Sequence, residues 1–278
     1  MQRLKLTLAY LGTPFSGWQR QQNGRTVQGE LEEAASTVCG RRVVFTGAGR
    51  TDAGVHAVGQ VAHCDLPEGV PPESFRRALQ RRLPAEISVR GSVAAGSGFH
   101  ARHTARAKLY VYRARWRSPG LPWTNLRSAT LPPPRMGTSL ESAVALLAGR
   151  HDFASFTVPE VCSRSTVRTV FRTWARPVRD GIDLAFLGDG FLRYQVRRMA
   201  GAVLEVAWGD RSTQELRALL SVPRPGAPVR TLPARGLSLE RVFYRSGAWT
   251  PTISKKRGSK NSDRSSDGTA CDRLRGSG

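Results

Sequence analysis

A chain of 278 residues is long enough for one large or two ordinary domains whose core needs no disulfides. Lys and Arg number 43 against 21 Asp and Glu, a formal net charge of +22, which points to a polyanionic partner because clustered cations gain affinity by displacing counterions from phosphates. Cys39, Cys64, Cys162 and Cys271 form no CxxC pair, so a zinc ribbon and a disulfide framework are excluded; the longest apolar run, Met199 to Leu204, is too short for a bilayer, and a soluble cytoplasmic protein is expected.

In the amino-terminal segment Leu4, Leu6, Leu8 and Tyr10 recur at every second position, the pattern of a strand with one buried face. A helix is predicted from Thr26, its cap, to Gly40, its stop, with Val27, Leu31, Ala34 and Val38 on one side. Arg42 to Thr46 and Gly59 to Leu66 read as strands. Phe75, Ala78, Leu79 and Leu83 mark a short helix between Pro71-Pro72 and Pro84, and Ile87 to Val93 another strand.

The second half opens at Lys108 to Trp116, a strand with Tyr110 and Tyr112 on one side. Leu140, Val144 and Leu147 give a helix closed by Gly149. Thr166 to Val178 and Gly181 to Leu187 flank the hairpin signal Asp180-Gly181. A long helix is predicted from Phe191 to Trp208, then a capping box at Ser212 and Glu215, then a closing strand from Leu237 to Arg245. Residues 251–278 carry seven Lys/Arg and three Asp among Ser and Gly, the composition of a basic disordered tail. The order strand, helix, strands, helix, strand occurs in both halves. An α/β architecture of the α+β type is therefore predicted: two similar lobes, 1–105 and 106–250, with largely antiparallel sheets flanked by helices.

The segment TGAGRTDAGVHA, Thr46 to Ala57, lies between two predicted strands. It is not a dinucleotide fingerprint, because Asp52 stands where the third glycine of G-x-G-x-x-G belongs and no helix follows. It lacks the Gly-Lys-Ser/Thr of a P-loop. His56, His63, Cys64 and Asp65 form no ordered ligand quartet, since His63 and Cys64 fall on opposite faces of a strand, and no metal is expected. What remains is a carboxylate, Asp52, beside a guanidinium, Arg50, on a loop whose glycines permit tight turns and close approach of a bulky ligand. On these residues alone, Asp52 as a turn cap and Arg50 as a surface cation is the better reading.

The wider pattern decides between them. Gly12-Thr13-Pro14-Phe15-Ser16-Gly17-Trp18-Gln19, Thr26 to Glu32 (TVQGELE), GAGRTDAGVHAVGQVAH, Phe99-His100-Ala101-Arg102, KLYVY from Lys108, GRHDFASF from Gly149, GFLRYQVR from Gly190 and Gly236-Leu237-Ser238-Leu239 occur in one order across residues 4 to 245. With these the chain resembles the tRNA pseudouridine synthase A (TruA) family. It departs from the usual wording at Leu11, where many members carry an aspartate, and in the Leu-Arg-Tyr-Gln-Val-Arg of the long helix.

The resemblance implies a pseudouridine synthase fold with its active-site cleft between the lobes. It also implies a homodimer without metal or organic cofactor that isomerises uridine to pseudouridine at positions 38, 39 and 40 of the tRNA anticodon stem-loop. Asp52 then matches the catalytic aspartate, Tyr110 the tyrosine that stacks on the target base, Arg197 the basic partner of the aspartate, and Arg50 an arginine that helps flip the base. A bidentate Arg197–Asp52 pair is expected to keep the carboxylate ionised. Arg20, Arg102, Arg106 and Arg164 are expected tRNA contacts. His56, His63, His100 and His103 are read as structural or phosphate-binding, and Trp18, Phe99 and Phe156 as packing residues. A noncatalytic tRNA-binding protein on the same scaffold has no need of Asp52, Tyr110 and Arg197 together, and a nucleotide-dependent enzyme would be stabilised by NAD or ATP.

Overall fold

The computed structural model describes residues 1–116, 125–135, 140–161 and 165–246. Cys162, Arg164, Cys271 and the tail 251–278 lie outside them.

The first half contains β1 (Gln2–Tyr10), α1 (Val27–Cys39), the short β2 (Thr46–Gly47), β3 (His56–Leu66), α2 (Pro72–Gln80) and β4 (Ile87–Ala95). The second contains β5 (Ala107–Trp116), β6 (Ala129–Leu131), α3 (Leu140–Ala145), β7 (Gly149–Asp152), β8 (Val167–Val178), β9 (Gly181–Gly188), α4 (Gln195–Trp208), α5 (Thr213–Ser221) and β10 (Leu237–Phe243). Among the described residues no helix is long and apolar enough to cross a membrane.

One ten-stranded sheet runs through the molecule in the order β4-β1-β3-β10-β5-β9-β8-β7, with β2 on β3 and β6 on β5. The pairings are antiparallel except β10 with β3 and β5 with β6. The order β4-β1-β3 recurs as β10-β5-β9, so each half places its first strand between two of its later ones. These similar halves do not carry separate sheets. They join edge to edge where Ser238 and Leu239 pair with His56 and Ala57, which puts the end of the TGAGRTDAGVHA loop at the seam.

Period-two burial decides which side of the sheet holds the core. Leu4, Leu6, Leu8 and Tyr10 of β1 are buried and face the same way as Ala62 and Cys64 of β3. In the second half Tyr110 lies opposite Phe186 and Leu239, and Tyr112 opposite Leu184 and Leu237, all buried. A smaller apolar cluster of Ala107, Leu187 and Phe243 covers part of the other face.

Thr26 and Gly40 bound α1 as predicted: the Thr26 hydroxyl accepts from Gly29 N at 3.2 Å, and Gly40 is left-handed at φ 63°. The capping box of Ser212 and Glu215 is formed at the start of α5. Other boundaries differ from the sequence pattern. Arg42 to Phe45 is not strand, because side chains of α1 take its backbone partners. Phe45 N donates to Glu32 Oε1 at 3.2 Å, Phe45 O accepts from Gln28 Nε2 at 2.9 Å, and Val43 N donates to Ser36 Oγ at 3.2 Å. Gly149, expected to close a helix, opens β7, with α3 ending at Ala145. The long helix starts at Gln195 and not at Phe191, since Tyr194 is left-handed at φ 62° and breaks the run.

Candidate active site

The loop between β2 and β3 is fixed from both ends. Ala48 N donates to Val61 O at 2.7 Å, and Gln60 Nε2 donates to Gly49 O at 2.9 Å. Trp18 N donates to Thr51 O at 3.1 Å, Gly54 N to Phe15 O at 3.3 Å, and Val55 N to Asp52 O at 3.1 Å. The Tyr10 and Thr51 hydroxyls share a buried hydrogen bond of 2.9 Å. The segment from Gly12 to Trp18 thus lies against the loop, and two glycines permit it. A Cβ at Gly12 would run into the Val55 carbonyl, and one at Gly17 (φ 93°) would sit 2.7 Å from Thr51 O.

His56 ties this assembly to the second half. Its Nδ1 accepts from Gly12 N at 3.0 Å, which makes Nε2 the protonated nitrogen donating to Arg235 O at 3.1 Å. Burial holds its pKa below the usual histidine value, so the ring stays neutral and keeps both bonds. His63 likewise plays a structural part, accepting from Ala101 N at 3.2 Å.

Asp52 therefore sits on a rigid loop and faces the first turn of α4. Arg197 Nη1 donates to Asp52 Oδ2 at 3.4 Å, while Arg197 Nε donates to Leu232 O at 2.7 Å. The expected bidentate pair is not formed: the fork spans a backbone carbonyl and one carboxylate oxygen. The Arg197 guanidinium also lies over the Tyr194 ring, 5.1 Å from its centroid. The pair is mostly enclosed, the side chains of Arg197 and Asp52 retaining 14% and 23% of their exposure. Burial pushes Asp52 above the ordinary carboxylate value, and the charge and hydrogen bond of Arg197, with the charge of Arg193, pull against it. The carboxylate is thus more basic than a solvated one.

Tyr110 is buried and stands edge-on to Phe191 at 5.4 Å. Burial, reinforced by Tyr10 and Asp52, holds its hydroxyl above the ordinary phenol value, so it stays protonated at neutral pH. Among the described residues that hydroxyl has no hydrogen-bond partner. Tyr112, two residues on, is a structural tyrosine whose hydroxyl donates to Pro233 O at 3.1 Å.

Asp52 and Tyr110 line one cleft of about 890 Å³, whose walls include Ser16, Gln19 and Gly49 from the first half and Phe191, Arg193 and Tyr194 from the second. Among the arginines singled out by sequence, Arg50 and Arg102 line this cleft and are exposed. Arg20 and Arg106 are not in its lining. Arg20 is drawn to buried Glu32, its Nη1 3.1 Å from Glu32 Oε2. Arg198, which a helix pattern would leave in solvent, is buried and donates to Ala227 O and Ser155 O. The sequence reading missed Lys108, Arg168 and Arg193 in the cleft. The signal for Lys108 was available, since it is two residues before Tyr110 and therefore on the same face of β5.

A carboxylate held at one cation in a mostly enclosed pocket, beside an aromatic face with an unused hydroxyl, suits nucleophilic or charge-stabilising chemistry on a flat, uncharged ring. The comparison with known proteins agrees with this arrangement. A profile described as tRNA pseudouridine synthase matches residues 7–103 and 143–245, thus including Asp52 and Arg197. Proteins named tRNA pseudouridine synthase A are similar over most of the chain. The one from Syntrophotalea carbinolica is 39% identical over 250 residues, covering 88% of this chain and 97% of its own. Those from Solidesulfovibrio magneticus and Geobacillus kaustophilus are 41% and 39% identical, covering 88% and 87% of this chain and 92% and 95% of their own. The cleft lined by Asp52 and Tyr110, with Arg197 paired to Asp52, is thus carried by a chain that belongs to the tRNA pseudouridine synthase family.

Proposed function

We propose that this protein isomerises uridine to pseudouridine in tRNA, at positions 38, 39 and 40 of the anticodon stem-loop, with Asp52 as the reacting carboxylate. The observation that carries the reading is that Asp52, paired with Arg197, lines the same cleft as Tyr110. The reaction breaks the bond from C1′ to N1, turns the uracil, and forms a bond from C1′ to C5. The C5 proton leaves and N1 gains one, so the overall change is an isomerisation. A carboxylate serves such a sequence by adding to C1′ or to C6 of the base, or by offsetting positive charge on the sugar. Its raised basicity matches that task, and Arg197 keeps one oxygen oriented while the other is left for the substrate.

The target base is stacked in a stem and must be extruded to reach this cleft. In this reading Arg50, which lines the cleft and is exposed, fills the vacated stack with its planar guanidinium. Tyr110 offers its ring to the flipped base, and its hydroxyl, without a partner among the described residues, is left to hydrogen-bond that base. The reading takes residues 1–105 and 106–250 as the two lobes and the enzyme as cytoplasmic, on the sequence pattern and composition, and as a homodimer without metal or organic cofactor, as the family resemblance implies. Sedimentation of the purified protein tests the dimer.

The activity is tested by mapping pseudouridine in unmodified tRNA transcripts incubated with the protein. One set of transcripts has uridine at positions 38 to 40 and a matched set has cytidine there. New pseudouridine confined to those positions supports the assignment. Pseudouridine elsewhere only would move the target site, and none in any tRNA would overturn the activity.

A further inference from the structure

One wall of the cleft carries more positive charge than the chemistry at Asp52 uses. Lys108 projects from β5 on the same face as Tyr110, two residues and so about 6.6 Å along the strand. Arg102 comes from the connection between β4 and β5, and Arg168 from β8; all three line the cleft. Gly49 leaves Lys108 open on the loop side, since even a Cβ there would only just touch it, 3.7 Å from Cε and 3.8 Å from Nζ.

We propose that Lys108 and Arg102, with Arg168 beside them, form an anion site that takes one RNA backbone phosphate, the one next to the nucleotide presented to Asp52. This rests on the RNA substrate argued above and adds a contact that neither the family profile nor the Asp52 geometry assigns. Three cations from three segments converge here, and among the described residues the one carboxylate acting on Lys108 is Asp189. Both Asp189 oxygens are engaged by Thr169 N, at 3.1 and 3.2 Å. The spacing along β5 is also compatible with this, for Lys108 stands one short step from Tyr110, within reach of the backbone of a base held there.

The lysine has the character of a cation short of a counter-charge. Burial, with Arg102 and Arg168 adding to it and Asp189 opposing, brings Lys108 down to about 8. Around it stand Arg102, Arg168, Asp189, Arg50, Asp52 and Tyr110. Glu160 and Arg193 line the same cleft; burial holds Tyr110 above the ordinary phenol value and raises Asp52 from the ordinary carboxylate value, so neither is the group that titrates at about 8. A bound phosphate raises the lysine's pKa, so its contribution to binding is complete below about 8 and is lost as pH rises above that value.

The test is tRNA affinity of the full-length protein from pH 6.5 to 9.5 at fixed ionic strength, for the wild type, Lys108→Arg and Lys108→Met, with pseudouridine formation followed in parallel. Wild-type Kd is expected to be flat up to about pH 7.5 and to weaken by as much as about tenfold per pH unit above 8. Lys108→Arg should keep the affinity and lose that dependence. Lys108→Met should bind roughly tenfold more weakly at pH 7, with a salt slope shallower by about one counterion. A Lys108→Arg variant with the wild-type pH dependence, or a folded Lys108→Met variant with wild-type affinity and salt slope, overturns the site. Should Lys108→Met not fold, the Lys108→Arg comparison decides alone. Wild-type pseudouridine formation with pH-independent binding sinks the anion site and leaves the activity standing. The pH-dependent binding without any pseudouridine does the reverse.

Discussion

Replacing Arg197 by lysine keeps a positive charge and removes the fork. In the structure one guanidinium reaches two acceptors at once, Leu232 O at 2.7 Å through Nε and Asp52 Oδ2 at 3.4 Å through Nη1. An ammonium on a flexible stem satisfies one of them and abandons the geometry that linked them. One charge-assisted hydrogen bond contributes about 1.5–3 kcal/mol. If the lost bond is the one that orients Asp52, the barrier rises by that amount, roughly 10- to 150-fold in rate at 1.36 kcal/mol per decade. Since Arg197 acts through Asp52, the loss should fall on kcat with KM within a fewfold. The pH profile supplies a second readout. Asp52 reacts ionised, so the rate falls as pH drops through its pKa. Burial already places that pKa above the ordinary carboxylate value, and weakening the opposing cation moves the fall to still higher pH. Single-turnover pseudouridine formation from pH 5 to 8 measures both. Full wild-type kcat with an unmoved acid limb in Arg197→Lys would refute the reasoning.

Tyr110→Phe removes a hydroxyl with no protein partner among the described residues, so the fold should be at least as stable while the single-turnover rate drops more than tenfold and tRNA affinity holds; an unchanged rate would confine Tyr110 to stacking. Because burial raises Asp52, its protonated form is the one the fold favours, and that contribution is lost as pH rises through the folded pKa. Asp52→Asn is therefore expected to melt at or above the wild type at pH 7, the difference closing below the ordinary carboxylate range; a lower melting temperature at pH 7 would contradict this. Glu32 is buried and accepts from Phe45 N at 3.2 Å. Glu32→Ala orphans that amide and should cost about 2–3 kcal/mol, a fall in Tm of roughly 5–10 °C, with Glu32→Gln recovering most of it. Wild-type melting of Glu32→Ala would show that the amide finds another partner.

Much of this architecture is legible in residue pattern because the pattern and the physics coincide. β1 and β5 alternate because one face is buried, and α1 and α5 carry their own caps in Thr26 and in Ser212 with Glu215. Where the pattern misled, tertiary partners had replaced local ones. The alternation of Val43 and Phe45 is that of a strand, yet the hydrogen bonds come from side chains of α1. Gln195 to Trp208 continues the apolar spacing of Phe191 backwards, but left-handed Tyr194 interrupts it, and nothing in the identity of a tyrosine announces that conformation. The joining of the halves into one sheet was equally hidden, since a two-residue parallel contact between β3 and β10 leaves no periodic trace.

The candidate site divides in the same way. The glycines around Asp52 drew attention to it, but its assignment, like those of Tyr110 and Arg197, came from resemblance. That Arg197 divides its fork between Leu232 and Asp52 depends on chain positions 35 and 145 residues away in sequence. Of the proposed RNA arginines, Arg50 and Arg102 reach the cleft, while Arg20 is recruited by Glu32. Charge counts do not distinguish these fates, because a surface cation and a cleft cation look alike until the chain is folded.

The most direct test of the account is single-turnover release of tritium from tRNA carrying 5-tritiated uridine, comparing the wild type with Asp52→Asn at saturating enzyme and matched tRNA occupancy. Forming the bond from C1′ to C5 must expel the C5 hydrogen, so release reports the isomerisation itself. The account predicts release by the wild type and none above background from a folded, tRNA-bound Asp52→Asn. Release by that variant at a rate near the wild type would remove Asp52 from the chemistry.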